Sequence, residues 1–246
     1  MAILVTRPHP DNEATASALR ARGYEVLLAP MLRFEAVATG NDLDAGFDAV
    51  IVTSANALRA VALSGHPILA RPLFAVGEHT AEAARAAGFD KVLSAGGDAG
   101  GLRDLLRARV KAKELKKTSR LIYLAGADLS GDLAGELGAA GFDVSVRTTY
   151  RMVALSTLPR DTLDAFAANG IEAVLHYSAR TARAFVEAVR GAGIEISALS
   201  VPQCCLSTNL AAILREAGAT RAQAAARPDE KALFEALERA LRSGLA

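Results

Sequence analysis

Ile3-Leu-Val-Thr-Arg-Pro, a helix-patterned stretch and Arg22-Gly-Tyr-Glu-Val-Leu-Leu return later in the chain as Leu121-Ile-Tyr-Leu-Ala-Gly, a second helix-patterned stretch and Ala140-Gly-Phe-Asp-Val-Ser-Val, at a constant offset of 118 residues. Asp48-Ala-Val-Ile-Val-Thr-Ser-Ala-Asn returns as Glu172-Ala-Val-Leu-His-Tyr-Ser-Ala-Arg, with Ser178 answering Ser54 at an offset of 124. Phe74-Ala-Val-Gly-Glu-His-Thr, running on to Gly88, returns as Cys205-Leu-Ser-Thr-Asn, running on to Gly218. A chain written twice predicts two similar domains, and a cleft between them is the expected place for a ligand.

Around these blocks, short β-rich runs alternate with helix-patterned segments. Strands are expected near residues 3 to 6, 24 to 28, 49 to 53, 73 to 76, 91 to 94, 121 to 124, 143 to 149, 173 to 177, 203 to 206 and 221 to 225. Helical stretches such as Asn12 to Arg22, Glu78 to Ala87 and Leu210 to Ala217 are alanine-rich and stop near Gly23, Gly88 and Gly218, where glycine supplies the left-handed C-terminal cap. Regular alternation of strand and helix is the signature of parallel α/β sheets, so the expected fold class is α/β.

One segment in each repeat breaks the rhythm. The chain runs extended through Pro30-Met-Leu-Arg-Phe-Glu-Ala-Val and again through Arg147-Thr-Thr-Tyr-Arg-Met-Val-Ala. Their equivalent places allow them to run side by side as a two-stranded linker. If each carries the chain to the other domain, one domain is residues 1–34 plus 152–246 and the other is 38–148, with 35–37 and 149–151 as the linkers and five parallel strands in each domain. Two sequential domains would give the same repeat.

With 246 residues, 51% of them hydrophobic and 22% charged, the chain has the length for two domains with separate cores. The opening Met1-Ala-Ile-Leu-Val-Thr-Arg-Pro has no basic region ahead of its short apolar run, and nothing approaches the ~18 apolar residues of a membrane span, so a cytoplasmic location and no membrane contact are expected. A formal net charge of +1 supplies no field for nucleic acid, and an anionic ligand must then be met by local donors. The only cysteines, Cys204 and Cys205, are neighbours on an expected strand and point to opposite faces, which reads as core packing and not as a disulfide. Lys111-Ala-Lys-Glu-Leu-Lys-Lys reads as a solvated helix end between the repeats.

Ligands of open α/β sheets bind beyond the carboxyl ends of the strands, where helix N-termini present unpaired N–H groups. Those junctions here are Thr6-Arg7-Pro8, Thr53-Ser54-Ala55-Asn56, Gly77-Glu78-His79-Thr80, Gly126-Ala127-Asp128, Ser178-Ala179-Arg180-Thr181 and Ser207-Thr208-Asn209. Arg7, Thr53, Ser54, Asn56, Gly77, Thr80, Ser178, Ser207 and Thr208 are therefore the candidate ligand-binding residues, a largely neutral set suited to several carboxylates. Ser, Thr, Asn and Asp are also the preferred helix N-caps, so capping and binding are both open at each junction. His9, His66, His79 and His176 lack ligand spacing, and no metal or cofactor is expected. Gly96-Gly-Asp-Ala-Gly-Gly lacks the Lys-Ser/Thr ending of a phosphate loop and reads as a turn. Tyr150 lies in the linker, and a phenol carries its proton at neutral pH, so it is the candidate general acid, with packing at a hinge as its other reading.

Thr6-Arg-Pro, Gly23-Tyr-Glu-Val-Leu-Leu-Ala-Pro, Asp48-Ala-Val-Ile-Val-Thr-Ser-Ala-Asn-Ala, Phe74-Ala-Val-Gly followed by Thr80-Ala, Tyr150-Arg and Cys205-Leu-Ser together resemble uroporphyrinogen-III synthases, in order and over essentially the whole chain. The resemblance implies two flavodoxin-like domains joined by a two-stranded linker. It also implies cofactor-free cyclisation of hydroxymethylbilane, a linear tetrapyrrole with eight carboxylates, to uroporphyrinogen III and water, by a monomer in transient contact with the preceding deaminase. Tyr150 matches the family's functionally important tyrosine; Ser54, Thr80 and Ser178 match substrate-contacting positions, with Gly77 and Ser207 offering backbone donors. Two stretches depart from the family pattern: His176-Tyr-Ser-Ala replaces the commoner Phe-Thr-Ser-Pro, and Ser207-Thr-Asn-Leu lacks the Gly-Pro-Thr-Thr form. A two-lobed binding or sensor protein without catalysis is the alternative, for which a tyrosine in the linker has no use.

Overall fold

The computed structural model describes residues 1–38, 43, 46–129 and 131–242; the parts of the expected domains at 39–42, 44–45, 130 and 243–246 lie outside the described residues. In chain order the elements are β1 (Ala2–Val5), α1 (Asp11–Arg20), β2 (Glu25–Leu28), β3 (Leu32–Ala36), β4 (Ala49–Val52), α2 (Ala55–Arg59), β5 (Leu73–Ala75), α3 (Glu78–Ala86), β6 (Val92–Ser94), α4 (Ala99–Lys111) and β7 (Arg120–Gly126). They continue with α5 (Leu133–Ala139), β8 (Asp143–Ala154), α6 (Arg160–Ala167), β9 (Ile171–His176), α7 (Ala179–Gly191), α8 (Glu195–Ser200), β10 (Gln203–Cys205), α9 (Thr208–Glu216), β11 (Ala222–Ala224) and α10 (Glu230–Arg242). The chain divides into two compact units, residues 1–34 with 153–246 and residues 35–152.

The internal repeat reappears in the sheets strand for strand. One sheet has the order β11-β10-β9-β1-β2 and the other β6-β5-β4-β7-β8 with β3 added at its edge, six strands where five were expected. Even the registers repeat. Ile3 faces Val26 across β1 and β2 as Leu121 faces Val144 across β7 and β8, and Gln203 faces Val174 as Leu73 faces Val50. A shift of one residue would turn each strand's apolar set to the wrong face, which is why equivalent hydrophobic runs enforce equivalent registers. The added strand β3 runs antiparallel to β8, since Val37 N–H donates to Thr149 O at 2.7 Å at one end and Leu155 N–H donates to Met31 O at 3.0 Å at the other.

Each sheet is covered on both faces, as parallel sheets require. In the first unit Leu4, Val174 and Cys205 pack beneath α7 and α9, while Ile3, Val5 and Cys204 pack against α10. The adjacent cysteines thus serve opposite cores, both free and buried, and burial pushes each thiol up to about 12. In the second unit Val50, Val52, Ile122 and Leu124 form one core and Ile51, Phe74, Leu121 and Tyr123 the other. Glycines end helices where the repeat places them, Gly23 and Gly141 at φ +86° and +102°, a conformation open to glycine without steric cost.

Candidate functional site

In the second unit, the residues that follow β4, β5 and β7 gather at the carboxyl edge of the sheet, together with Tyr150 from β8. Ser54 is the N-cap of α2, its hydroxyl accepting from Asn56 N–H at 3.3 Å, and Asn56 Oδ1 accepts from Arg59 at 3.1 Å. Capping uses a lone pair of the Ser54 oxygen and leaves its proton available for an acceptor. Gly77 caps α3 without a side chain, so the first-turn N–H groups of that helix have no side-chain acceptor, and Thr80 is buried in the same turn. Thr53 is half-buried, and its hydroxyl lies 2.8 Å from the phenol of Tyr123, a residue that reading the junctions did not single out.

Tyr150 reaches this edge through an irregularity in the sheet. Leu124 pairs with Arg147 and Ala125 with Thr148, but Gly126 pairs with Tyr150, so Thr149 is one residue too many on β8. A bulge of this kind reverses the side-chain alternation beyond it. Val144 and Val146 accordingly face the core that contains Tyr123, whereas Tyr150 packs against the opposite core of Val50, Val52 and Leu124. The bulge is held by Thr149, whose hydroxyl donates to Ala125 O at 3.2 Å, and by Ala127 N–H donating to Tyr150 O at 2.8 Å. The ring then lies against Gly126: a Cβ there would stand 2.7 Å from Tyr150 Cζ and 2.9 Å from its hydroxyl. Glycine at the β7 junction is required by the phenol. Farther along the same junction, Asp132 caps α5, accepting from Gly135 N–H at 2.9 Å.

The first unit carries the equivalent edge with different chemistry. Ser178 caps α7 in a reciprocal capping box, accepting from Thr181 N–H at 3.1 Å while Thr181 Oγ1 accepts from Ser178 N–H at 3.3 Å. Ser207 caps α9, with Leu210 N–H at 3.4 Å, and Thr208 is exposed in the first turn. Arg7 is not a loose cation. Its guanidinium lies 4.7 Å from the centre of the Tyr177 ring, donates to Asp11 at 3.0 Å and stands 3.5 Å from Glu230. Glu230 Oε1 also accepts from Tyr177 at 2.8 Å and from Thr15 at 2.6 Å. Burial, with Glu230 alongside, pushes the Tyr177 phenol well above its ordinary value.

His176 ends β9 and is completely buried, which depresses its pKa to about 4. The amide nitrogen of Gln203 donates to Ala198 O and Val201 O, so Gln203 Oε1 is left to accept from His176 Nε2 at 2.9 Å, and the neutral ring carries its proton there. Among the described residues no cluster of His, Cys, Asp or Glu is placed to hold a metal ion, and no helix is long and apolar enough to cross a membrane. Gly96 and Gly97 form a turn into α4, which Asp98 caps through Gly101 N–H at 2.7 Å. Each carboxyl edge offers hydroxyls and backbone N–H groups, joined in the second unit by the phenol of Tyr150 and in the first by the cluster of Arg7, Tyr177 and Glu230.

The family model for uroporphyrinogen-III synthase HemD matches residues 13–235. No curated protein matches the chain. Among solved structures, the uroporphyrinogen-III synthetase of Helicobacter pylori 26695 is 19% identical with a TM-score of 0.62, over 100% of this chain and 99% of that one. A mutant uroporphyrinogen III synthase from the extremely thermophilic bacterium Thermus thermophilus is 18% identical with a TM-score of 0.54, over 99% of this chain and 100% of that one. At these identities the likeness to the solved structures is one of fold.

Proposed function

This chain belongs to the uroporphyrinogen-III synthase family, and from that premise we propose that it converts hydroxymethylbilane to uroporphyrinogen III as a cofactor-free, cyclising hydro-lyase of haem biosynthesis. The observation that carries the reading is the family match over residues 13–235, nearly the whole of a twofold repeat. It favours the enzyme over a non-catalytic two-lobed binder. On this reading the protein is a cytoplasmic monomer that receives its substrate from the preceding deaminase, and residues 35–37 and 149–151 link its domains.

The chemistry begins with loss of the terminal hydroxyl. Tyr150 donates its proton to that oxygen, which departs as water with the C–O electron pair while the pyrrole nitrogen delocalises its lone pair to the methylene carbon, giving a protonated azafulvene. The substituted α-carbon of the last pyrrole ring, at the other end of the molecule, attacks that methylene carbon to form a spiro intermediate. The bond from this ring to its old bridge then breaks and re-forms at the ring's free α-carbon, which inverts the ring, and the proton lost from that carbon returns to the Tyr150 phenolate. Hydroxymethylbilane also closes unaided to the uninverted type I isomer, so the enzyme must hold the substrate in the conformation for one path, and positioning is its largest contribution. Thr53, Ser54, Asn56, Gly77 and Thr80 on one unit, and Arg7, Ser178, Ser207 and Thr208 on the other, are the proposed donors to its carboxylates. Neutral donors of this kind suit a ligand whose many charges are spread along its length. Arg7 and Ser178 must share donors already engaged with Asp11 and Thr181, so we assign the larger share of binding to the second unit.

The test is to supply enzymatically generated hydroxymethylbilane and resolve the type III and type I isomers after oxidation. Type III above the protein-free control supports the reading, and type I alone contradicts it.

A further inference from the structure

The pairing of Tyr123 with Thr53 has no counterpart in the other half of the repeat. By register, Tyr123 stands opposite Val146 as Val5 stands opposite Leu28, so Val5 is its equivalent, and Val5 is fully buried. The fold is therefore satisfied at this place by valine. The equivalent of Thr53 is Tyr177, whose phenol donates instead to Glu230. A phenol and a threonine hydroxyl meeting at 2.8 Å are peculiar to the unit that carries Tyr150.

Tyr123 is 4% exposed and packed against Ile51, Phe74 and Ala125, so its ring has no room to turn toward water. Burial raises its pKa, and the phenol stays protonated. Thr53 is only half-buried and stands directly before the cap residue Ser54. In the free protein either oxygen can donate across the 2.8 Å bond. A carboxylate changes that, because it only accepts. Once it meets Thr53, the single threonine proton must point outward and the phenol proton must point inward.

We infer that Tyr123 is a positioning residue for the reaction: it donates to Thr53 Oγ1 and thereby commits the Thr53 proton to a substrate carboxylate. The bonds from phenol to hydroxyl to carboxylate run in one direction and polarise one another, so each is stronger than it would be alone. The inference rests on the proposed contact between Thr53 and hydroxymethylbilane.

The experiment compares kcat, KM and the type III fraction for the wild type, Tyr123→Phe, Thr53→Val, Thr53→Ser and the Tyr123→Phe/Thr53→Val and Tyr123→Phe/Thr53→Ser double variants, all with hydroxymethylbilane. Loss of one neutral hydrogen bond corresponds to roughly a three- to tenfold rise in KM, with kcat nearly unchanged because the bond is present in both ground and transition states. Tyr123→Phe should show that rise. The Tyr123→Phe/Thr53→Val variant should be no worse than Thr53→Val, since the phenol acts only through the threonine, while Thr53→Ser should retain near-normal KM and its sensitivity to Tyr123→Phe. An unchanged KM in Tyr123→Phe, or an equal further loss on adding it to Thr53→Val, would overturn the inference. Wild-type protein that yields no type III would instead overturn the assigned function.

Discussion

Consider alanine in place of Gly126. The added Cβ would lie 2.7 Å from Tyr150 Cζ, 2.9 Å from its hydroxyl and 3.0 Å from Cε1. Unbonded heavy atoms settle at about 3.5–4.0 Å, so the ring must withdraw by roughly 1 Å or leave its rotamer. Both residues are partly exposed, so the ring can yield toward solvent, and the stability cost should fall at the low end of the ~1–3 kcal/mol typical of overpacking. The catalytic cost should be larger. A group misplaced by about 1 Å can lose on the order of 10²-fold in rate, and complete loss of a general acid costs about 10²- to 10⁴-fold. Gly126→Ala is therefore expected to lower kcat about 100-fold while shifting the thermal midpoint by only a few degrees. The assay is hydroxymethylbilane turnover with isomer analysis, alongside thermal unfolding. Spontaneous closure should then raise the type I share. In a Tyr150→Phe background the same change should add little further loss, because the proton it misplaces has already gone. A folded Gly126→Ala enzyme with wild-type kcat and isomer ratio would refute the placement of the reacting proton on Tyr150.

Tyr150→Phe alone should cost about 10²- to 10⁴-fold in kcat, with product affinity retained, as a binding titration with uroporphyrin III would show. Ser54→Ala should weaken catalysis by only ~0.5–1.5 kcal/mol, one neutral hydrogen bond among many; abolition of activity with folding intact would give Ser54 a chemical role. His176 is held neutral by burial with a pKa near 4, against 6.5 in an unfolded chain. The unfolded state then binds the extra proton between those values, so stability is full above about pH 6.5 and falls toward pH 4, by up to about 3 kcal/mol. Urea titrations at pH 7.5 and 4.5 should show the fall, and His176→Gln should lose that part of it. Cys204 and Cys205, both buried with thiols pushed up to about 12, should resist a thiol-reactive disulfide in the folded protein and react once it is unfolded.

The positions of the strands along the chain could be read from the sequence because they depend on local, repeated signals. Runs such as Ala49–Val52 and Ala173–Leu175 are apolar throughout, as strands buried on both faces must be, and the glycines at 23, 88 and 218 mark where helices end. The extended segment around Tyr150 was equally legible. Its bulge at Thr149 was not, because the cause is a bond from Thr149 to Ala125, 24 residues away, while the run Arg147 to Ala154 alternates no differently from a regular strand. Tyr123 was missed for a similar reason. A tyrosine in the middle of an apolar strand reads as a β-former, and only the approach of Thr53, 70 residues earlier, gives its hydroxyl a purpose. The repeat did contain one usable signal, the contrast between Tyr123 and Val5. Arg7 has two acidic partners: Asp11 lies only four residues on, but Glu230 is far along the chain, beyond any spacing rule.

The central claim is that this protein directs hydroxymethylbilane to the inverted isomer faster than the substrate closes by itself. The most direct measurement is the type III fraction of total uroporphyrin as protein concentration is raised over a fixed amount of freshly generated hydroxymethylbilane. Competition between the two paths predicts a fraction that starts at the protein-free value and climbs to nearly complete type III. A product that stays type I at every concentration, from protein shown to be folded, would contradict the account.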